Sequence, residues 1–245
     1  MKRVLVTGGT GTLGREVVDG LKEAGYIARV MSRRAGALEG GEWVQANLSD
    51  GSGLAAAVQD VDVIVHAASG SNLRKTDIEG TERLLTVAHA AGVQHVLFVS
   101  IVGIDKIPFV YYKAKLEVEQ RVQAGQVPWS ILRATQFHTL PHFLLKTLHR
   151  SPLFLVPTDF HVQPIDPRAV AERIVAHVGQ GAGGMLADIG GPEILTLGAM
   201  AQSWLAIRGS KRRVLHLPVP GAVARGFRRG YNTVPQNKYG QLTWQ

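Results

Sequence analysis

The stretch Val4-Leu5-Val6-Thr7-Gly8-Gly9-Thr10-Gly11-Thr12-Leu13-Gly14 decides the fold of this 245-residue chain. It begins as a short apolar strand and continues directly into a series of glycines. After a strand, Gly8 permits a tight turn, Gly11 lets the backbone approach a phosphate, and Gly14 lets the next helix lie close to the sheet. The start of that helix faces the anion, and the hydroxyls of Thr10 and Thr12 add hydrogen bonds. The stretch therefore predicts a pyrophosphate-binding turn for a dinucleotide.

The residues that follow the glycines support this interpretation over that of a merely structural turn. Leu13, Val17, Val18 and Leu21 recur at helical spacing, and Gly25 is placed to end the helix. A nucleoside triphosphatase loop is excluded, because Arg15-Glu16 stands where such a loop requires Lys and then Ser or Thr.

The end of the second strand bears on the choice of cofactor. Residues 27–31 are followed directly by Ser32, Arg33 and Arg34. At this place an acidic side chain binds the ribose 2′-hydroxyl of NAD, whereas guanidinium groups bind the 2′-phosphate of NADP in bidentate fashion. The sequence thus predicts NADP(H) in preference to NAD(H), with Arg33 as the main contact. The alternative is a pair of solvated arginines on a loop.

Strands and helices alternate along the first half of the chain with the period of βαβ units. The predicted strands cover residues 4–7, 27–31, 43–45, 61–66, 95–99 and 129–133. The predicted helices after the first one cover residues 54–58, 77–91 and 111–123. The pattern predicts an α/β fold, a Rossmann-type doubly wound parallel sheet over residues 1–135.

Prolines interrupt this alternation after Thr135, which predicts a small C-terminal α/β lobe over residues 136–245, packed on the core as one structural unit. Within it, Asp166-Pro167 is expected to begin a helix that reaches Val178, and Thr196 to cap another.

The composition and the residue spacing argue against several kinds of site and segment. The chain contains no cysteine, so disulfides and thiol chemistry are excluded. Only a few apolar residues follow the basic start before the glycine turn, which predicts no signal peptide or membrane span and a cytoplasmic location. His138 and His142 are four residues apart, but Pro141 is expected to interrupt a helical face and no carboxylate accompanies them, so no metal site is predicted.

The net charge of +8 belongs to the C-terminal tail, since no Asp or Glu follows Glu193 and eight of the Lys and Arg residues do. Val223, Phe227 and Tyr231 lie there at helical spacing, which allows contact with an anionic membrane surface or an acidic ligand. The alternative is a solvated face. No groove-reading or base-stacking motif accompanies the charge, so nucleic acid is not an expected partner. The oligomeric state is left open.

The candidate catalytic residues are Tyr111 and Lys115, at the helix start after the fifth strand. One helical turn brings both side chains to the same face. A phenol exchanges protons poorly at neutral pH unless a cation stabilises its phenolate, and Lys115 supplies that cation. The ammonium is also placed to bind the nicotinamide ribose, leaving Tyr111 to give a proton to a substrate carbonyl.

Together these motifs resemble the short-chain dehydrogenase/reductase superfamily, specifically its atypical NmrA-like NAD(P)-binding members. The matching segments are residues 7–14, 32–33, 66–69, 98–100, 111 with 115, and 131–137. The resemblance implies that Asn47 and Leu48 lie near the adenine, that Ala67, Ala68 and Ser69 lie near the adenosine ribose, and that Ala134, Thr135 and Phe137 lie near the nicotinamide amide.

The same resemblance implies a hydroxyl at the end of the fifth strand that polarises the substrate carbonyl. In many relatives this hydroxyl lies one or two positions later, where this chain has Ile101 and Val102. Ser100 is therefore the hydroxyl residue available here.

The residues, together with what the resemblance implies, leave three candidate functions. The first is an NADPH-dependent oxidoreductase that reduces a small, largely apolar carbonyl or quinone, using Tyr111, Lys115 and Ser100. The second is a non-catalytic NADP(H)-binding redox sensor of NmrA type. The third is a nucleotide-sugar epimerase-like enzyme, for which the chain is short. The presence of both Tyr111 and Lys115 favours the reductase, since a sensor has no need of a tuned phenol.

Overall fold

The computed structural model describes residues 1–244. Its strands are β1 (Arg3–Thr7), β2 (Ile27–Ser32), β3 (Glu42–Gln45), β4 (Val63–His66), β5 (His95–Ile101), β6 (Trp129–Ala134), β7 (Leu155–Val156), β8 (His161–Val162), β9 (Gly184–Met185), β10 (Leu195–Thr196) and β11 (Leu215–His216). Its α-helices are α1 (Thr12–Glu23), α2 (Leu54–Val58), α3 (Glu79–Ala90), α4 (Val110–Ala124), α5 (Thr139–Leu148), α6 (Pro167–Val178), α7 (Leu197–Ile207) and α8 (Ala222–Arg228). A π-helical segment, Leu73–Ile78, precedes α3.

A seven-stranded parallel sheet has the order β3-β2-β1-β4-β5-β6-β9, which confirms the predicted doubly wound fold. β1 pairs in parallel with β2 on one side and with β4 on the other, so the chain changes direction across the sheet between these two neighbours. Open α/β sheets bind ligands at such a switch point, beyond the carboxyl ends of the strands. The glycine turn follows β1 at this place.

The local signals explain the element bounds. The buried residues of α1 are Leu13, Gly14, Val17, Val18 and Leu21, the stripe expected from helical spacing. Gly25 has a φ of +79°, the left-handed conformation that ends a helix and that glycine adopts without strain. The hydroxyl of Thr196 accepts from the Ala199 N–H, as expected for the cap of α7.

The chain forms two compact units. Unit 1 comprises residues 1–100, 113–133 and 167–187, and unit 2 comprises residues 101–112, 134–166 and 188–245. Residues 167–187, assigned from the sequence to the C-terminal lobe, therefore cluster with the sheet. The reason is that β9 pairs with β6 and that Gly20 of α1 lies against Val175 of α6.

Two predicted helices differ from the structure. The expected helix over residues 77–91 is divided into the π-helical segment and α3, and the side chain of Asn72 caps the former by accepting from the Lys75 N–H. The expectation that Pro141 interrupts a helical face is wrong. Pro141 lies in the first turn of α5, where its missing N–H would have no intrahelical partner.

Each unit has its own apolar core. Under the sheet of unit 1, Leu5, Ile64 and Phe98 pack with residues of α3 and α4. In unit 2 the core surrounds Phe154 and Trp204. Within residues 1–244, no helix is both long and apolar enough to cross a bilayer.

Candidate active site

The glycine turn leaves no room for side chains at Gly8 and Gly14. Gly8 has a φ of +71°, and a Cβ there would lie 2.9 Å from the backbone of Ala68. A Cβ on Gly14 would lie 2.1 Å from the carbonyl oxygen of Gly8. Side-chain rotation cannot relieve either overlap, because the obstructing atoms belong to the backbone. The turn therefore requires glycine at both positions.

The N-terminus of α1 suits an anion. Gly11 is the N-cap, no side chain caps the helix, and its first turn contains no acidic residue. The unsatisfied N–H groups and the positive end of the helix dipole then face the turn without competition from the protein. Both features fit the pyrophosphate of a dinucleotide, which would lie against the backbone around Gly11 and against Thr10, Thr12 and Leu13.

The arginines after β2 are exposed and available. Side chains of β3 hold this loop, since the Gln45 amide donates to the carbonyl of Arg33 at 3.1 Å and the Trp43 indole donates to that of Arg34 at 3.0 Å. The Ser32 hydroxyl accepts from the Arg34 N–H at 3.2 Å. Within residues 1–244 neither guanidinium forms an ion pair or hydrogen bond. By contrast, Arg29 of β2 is bound to Glu42.

The residues implied for the adenosine half are placed differently from one another. The side chain of Leu48 is buried in the core of unit 1, and its backbone carbonyl accepts from Arg83 at 3.2 Å. The Asn47 amide donates to Asp50 at 2.7 Å and accepts from the Ser49 N–H at 3.0 Å. Ala67 and Ala68 follow β4 directly, beside Gly8.

Lys115 is nearly inaccessible, at 5% exposure. Its Nζ lies 3.8 Å from Oδ1 of Asp77 and 4.9 Å from the centre of the Phe98 ring. Burial lowers the pKa of the Lys115 ammonium, while the charges of Asp77 and Glu119 oppose that shift. Glu119 is itself bound in bidentate fashion by Arg133, with distances of 2.8 and 2.6 Å. Two carboxylates thus support one buried ammonium.

Asp77 is held in turn by groups beyond the end of β4. Its carboxylate accepts from the Ser69 hydroxyl at 2.6 Å and from the Gly70 N–H at 3.0 Å. Asp77 lies in the π-helical segment, a rare geometry that recurs at functional sites. Ser69, implied from the resemblance to contact the adenosine ribose, is thereby a partner of the carboxylate that holds Lys115.

Ser100 is 3% exposed, and its hydroxyl has no hydrogen-bond partner among residues 1–244. Side chains alternate along a strand, so Ser100 projects from the same face of β5 as Phe98. This is the face on which Lys115 lies over the Phe98 ring. An unpaired buried hydroxyl is costly in a folded protein, which makes Ser100 a good candidate for contact with a ligand.

Tyr111 and Lys115 both belong to α4, one turn apart, as predicted. The adjacent Tyr112 has a different environment: burial, and secondarily Tyr111, raises the pKa of Tyr112 to about 12. Its ring contacts Phe109 and Phe227 within unit 2. Tyr112 is therefore a packing residue, and Tyr111 is the better candidate for proton transfer.

The residues implied for the nicotinamide end lie in unit 2. The carbonyl of Ala134 accepts from the Val102 N–H at 3.1 Å, and the Thr135 N–H donates to Ile189 at 3.0 Å. Phe137 forms a β-bridge with Ile165. This segment is held by backbone hydrogen bonds on two sides.

The basic tail has structural contacts within unit 2. Arg212 donates to three backbone carbonyls that follow α5, Arg228 forms an ion pair with Asp159, and Arg208 lies 4.1 Å from the Trp204 ring. The ring of Phe227 stacks on Phe160 at 5.3 Å, and Tyr231 lies beyond the end of α8. The expected apolar stripe is thus partly packed into unit 2. Residues 1–244 contain no group of three or more potential metal ligands.

Comparison with known proteins identifies the family. Residues 8–176 match the sequence profile described as NAD(P)H-binding. The chain belongs to this NAD(P)H-binding family. This confirms the resemblance inferred from the motifs.

One relative and two solved structures are informative. The chain is 31% identical over 234 residues to (4-alkanoyl-5-oxo-2,5-dihydrofuran-3-yl)methyl phosphate reductase of Streptomyces griseus, covering 89% of this chain and 78% of that protein. Its fold is similar to that of the Escherichia coli NADPH-dependent quinone oxidoreductase QOR2 with NADPH, with a TM-score of 0.79, 18% identity, and coverage of 97% and 96%. It is also similar to an Agrobacterium tumefaciens short-chain dehydrogenase/reductase superfamily protein with NAD, with a TM-score of 0.68, 23% identity, and coverage of 89% and 86%.

The family membership shows that this chain is of an NAD(P)H-binding type, and the Streptomyces griseus relative is a reductase. The sequence alone did not point to Asp77 and Glu119, whose charges act on Lys115, or to Arg133, which binds Glu119. Glu119 follows Lys115 by one helical turn, and this spacing was a usable signal. Asp77 gave no comparable signal, because its contact with Lys115 joins distant parts of the chain.

The buried His66 leads to a prediction about acid stability. Burial, and secondarily the Lys115 charge, lowers the pKa of His66 to about 3 from 6.5. Below pH 6.5 the imidazole is protonated in the unfolded chain but stays neutral in the folded protein. The free energy of unfolding therefore decreases as the pH falls from the unfolded pKa of 6.5 toward the folded pKa of about 3. Burial also lowers the pKa of His95, to about 4, which acts in the same direction.

We expect the free energy of unfolding, measured by urea denaturation, to fall between about pH 6.5 and pH 5 by up to about 1.4 kcal/mol per pH unit for each such histidine. Most carboxylates remain ionised in this range, so histidines dominate the change. Equal free energies at both ends of the range would contradict the prediction.

Proposed function

We propose that this protein is an NADPH-dependent reductase of a small, largely apolar carbonyl or quinone. The observation that carries the proposal is the buried Lys115, supported by Asp77 and Glu119, on the helix that presents Tyr111 one turn earlier. A dinucleotide-binding protein without catalysis has no evident use for a buried ammonium held this way, because desolvating a charge is expensive.

The roles of the residues follow from their chemistry. Bound NADPH would supply a hydride to the substrate carbon. Tyr111 donates the proton that the carbonyl oxygen needs, so that a carbonyl becomes an alcohol. Lys115 stabilises the resulting phenolate by its positive charge and binds the nicotinamide ribose. Ser100 donates its unpaired hydroxyl to the carbonyl oxygen and polarises it.

Preference for NADPH is assigned to Arg33, with Arg34 as a second contact. Both guanidinium groups are free within the described residues, and the loop that carries them is held by Trp43 and Gln45. A planar guanidinium binds a 2′-phosphate through two hydrogen bonds, which NADH cannot offer.

Arg33→Ala is expected to weaken NADPH binding by about 1–3 kcal/mol through loss of a charge-assisted contact, and to change NADH binding little. Fluorescence titration with both nucleotides measures this. Arg150→Ala, which removes an exposed charge after α5, serves as the control and is expected to affect neither. Equal weakening of NADPH and NADH would place Arg33 outside the 2′-phosphate site.

The function itself is tested by following NADPH oxidation with a panel of quinones, aldehydes and ketones, with NADPH and NADH binding titrated in parallel. Turnover with any one class would support the reductase and identify its chemistry. Tight NADPH binding without turnover across the panel would contradict it and favour the redox sensor.

A further inference from the structure

A chain of buried hydrogen bonds connects the glycine turn to the segment that carries Asp77. Nδ1 of His66 lies 2.6 Å from Oγ1 of Thr7, and Nε2 of His66 lies 2.9 Å from Oγ1 of Thr81. The Thr81 hydroxyl also donates to the backbone carbonyl of Asp77, and the Thr7 hydroxyl accepts from the Ala68 N–H at 3.3 Å. Thr7, Thr81 and His66 are at most 1% exposed.

The direction of every hydrogen in this chain follows from its two ends. A carbonyl only accepts, so the Thr81 hydrogen is committed to Asp77, and the Thr81 oxygen must accept from His66 Nε2. In a neutral imidazole the other nitrogen is then an acceptor, and it receives the Thr7 hydrogen. The Thr7 oxygen in turn accepts the Ala68 N–H. Each hydroxyl thus donates once and accepts once.

The neutral state of the ring is consistent with its surroundings. His66 contacts the ring of Phe98 at 5.4 Å, and Phe98 also lies beneath the Lys115 ammonium. Burial next to that charge disfavours a second proton on the imidazole.

We propose that Thr7, His66 and Thr81 form a positioning relay that fixes the main chain of Asp77, and with it the carboxylate that holds Lys115. The segment that these residues anchor is π-helical, a rare geometry that recurs at functional sites. A second anchor is the contact of Thr76 with Ser49, whose hydroxyls are 2.8 Å apart. These residues act through Asp77 and are positioning residues. The inference rests on the proposed role of Lys115 in the reductase.

The decisive variant is Thr81→Val, which has the same shape and lacks the hydroxyl. With a carbonyl or quinone substrate found in the panel, we expect kcat to fall about tenfold or more, because a catalytic group is displaced, while KM and the Kd for NADPH change less than about twofold. The alkaline limb of the kcat pH profile should also shift to lower pH, because a Lys115 ammonium with weaker carboxylate support loses its proton more readily. Thr81→Ser keeps the hydroxyl and should restore both values.

Thr86→Val is the matched control, because Thr86 lies on the same helix and donates to the carbonyl of Glu82 four residues earlier at 2.9 Å, but at an exposed position. It should leave kcat unchanged. The proposal would be overturned if Thr81→Val had the same kcat and pH profile as the wild type. It would also be overturned if Thr81→Val and Thr86→Val lost equal amounts of kcat.

A second measurement does not depend on turnover. Nitrogen-15 NMR of the wild-type protein should show His66 as the neutral tautomer protonated at Nε2, and Thr81→Val should lose this single tautomer. Protonation at Nδ1 in the wild type would overturn the relay. If the wild type shows the expected tautomer but no turnover, the proposed reductase function is contradicted and the relay is not. The two proposals can therefore fail separately.

Discussion

Replacing Tyr111 with phenylalanine is expected to lower kcat by about 10²- to 10⁴-fold, the usual contribution of a positioned acid or base. The variant keeps the ring and removes only the proton donor. The Kd for NADPH should remain within about twofold, because the phenol acts on the substrate and not on the cofactor. Stopped-flow measurement of NADPH oxidation, with a binding titration alongside, separates the two effects.

Tyr112→Phe is the control for this experiment. Tyr112 is the neighbour on α4, its ring packs against Phe109 and Phe227, and it is not assigned a role in catalysis. Its kcat should equal that of the wild type. Unchanged turnover in Tyr111→Phe, or an equal loss in both variants, would refute the role of Tyr111 in proton transfer.

Gly14→Ala is expected to abolish NADPH binding. The new Cβ would lie 2.1 Å from the Gly8 carbonyl oxygen and 2.7 Å from Cα of Gly9. Overpacking in a tight site typically costs about 1–3 kcal/mol, and a clash of the Cβ with backbone atoms, which cannot rotate away, should reach about 3 kcal/mol or more. Because the turn itself must move, the loss should appear as at least about a hundredfold increase in the Kd for NADPH, together with a lower melting temperature.

Gly20→Ala provides the comparison within the same helix. There the nearest atom to a new Cβ is a methyl group of Val175 at 3.2 Å, which needs to shift by only a few tenths of an ångström. Alanine is the better helix former by about 1 kcal/mol, so this variant should be as stable as the wild type or more stable. NADPH binding by Gly14→Ala similar to that of Gly20→Ala would show that the close contact is not required.

Several elements of the fold could be predicted from local sequence patterns without the structure. The glycine turn, α1 and the doubly wound parallel sheet were predicted correctly, because each depends on the periodicity and turn chemistry of neighbouring residues. The same holds for α6, from Pro167 to Val178, and for the Thr196 cap. Pro141 was judged wrongly, since its effect depends on where α5 begins, and helix bounds are weakly specified by local sequence.

The roles of Lys115 and Ser100 show the limit of local reasoning. The spacing from Tyr111 to Lys115 indicated a shared helix face, but the burial of the lysine and its contact with Asp77 became visible only in the folded chain. Ser100 was identified as a strand-end hydroxyl. Its lack of a partner within residues 1–244 depends on everything packed around β5.

By itself, the sequence determined the dinucleotide turn, the alternating strands and helices, the arginines after β2 and the tyrosine and lysine of α4. These features depend on backbone conformation and spacing over a few residues. Only the tertiary structure decided that residues 167–187 join the sheet, that Asp77 and Glu119 support Lys115, and that His66 connects Thr7 to Thr81. Those outcomes depend on contacts between distant parts of the chain and on removal of water from charged and polar groups, which local sequence does not specify.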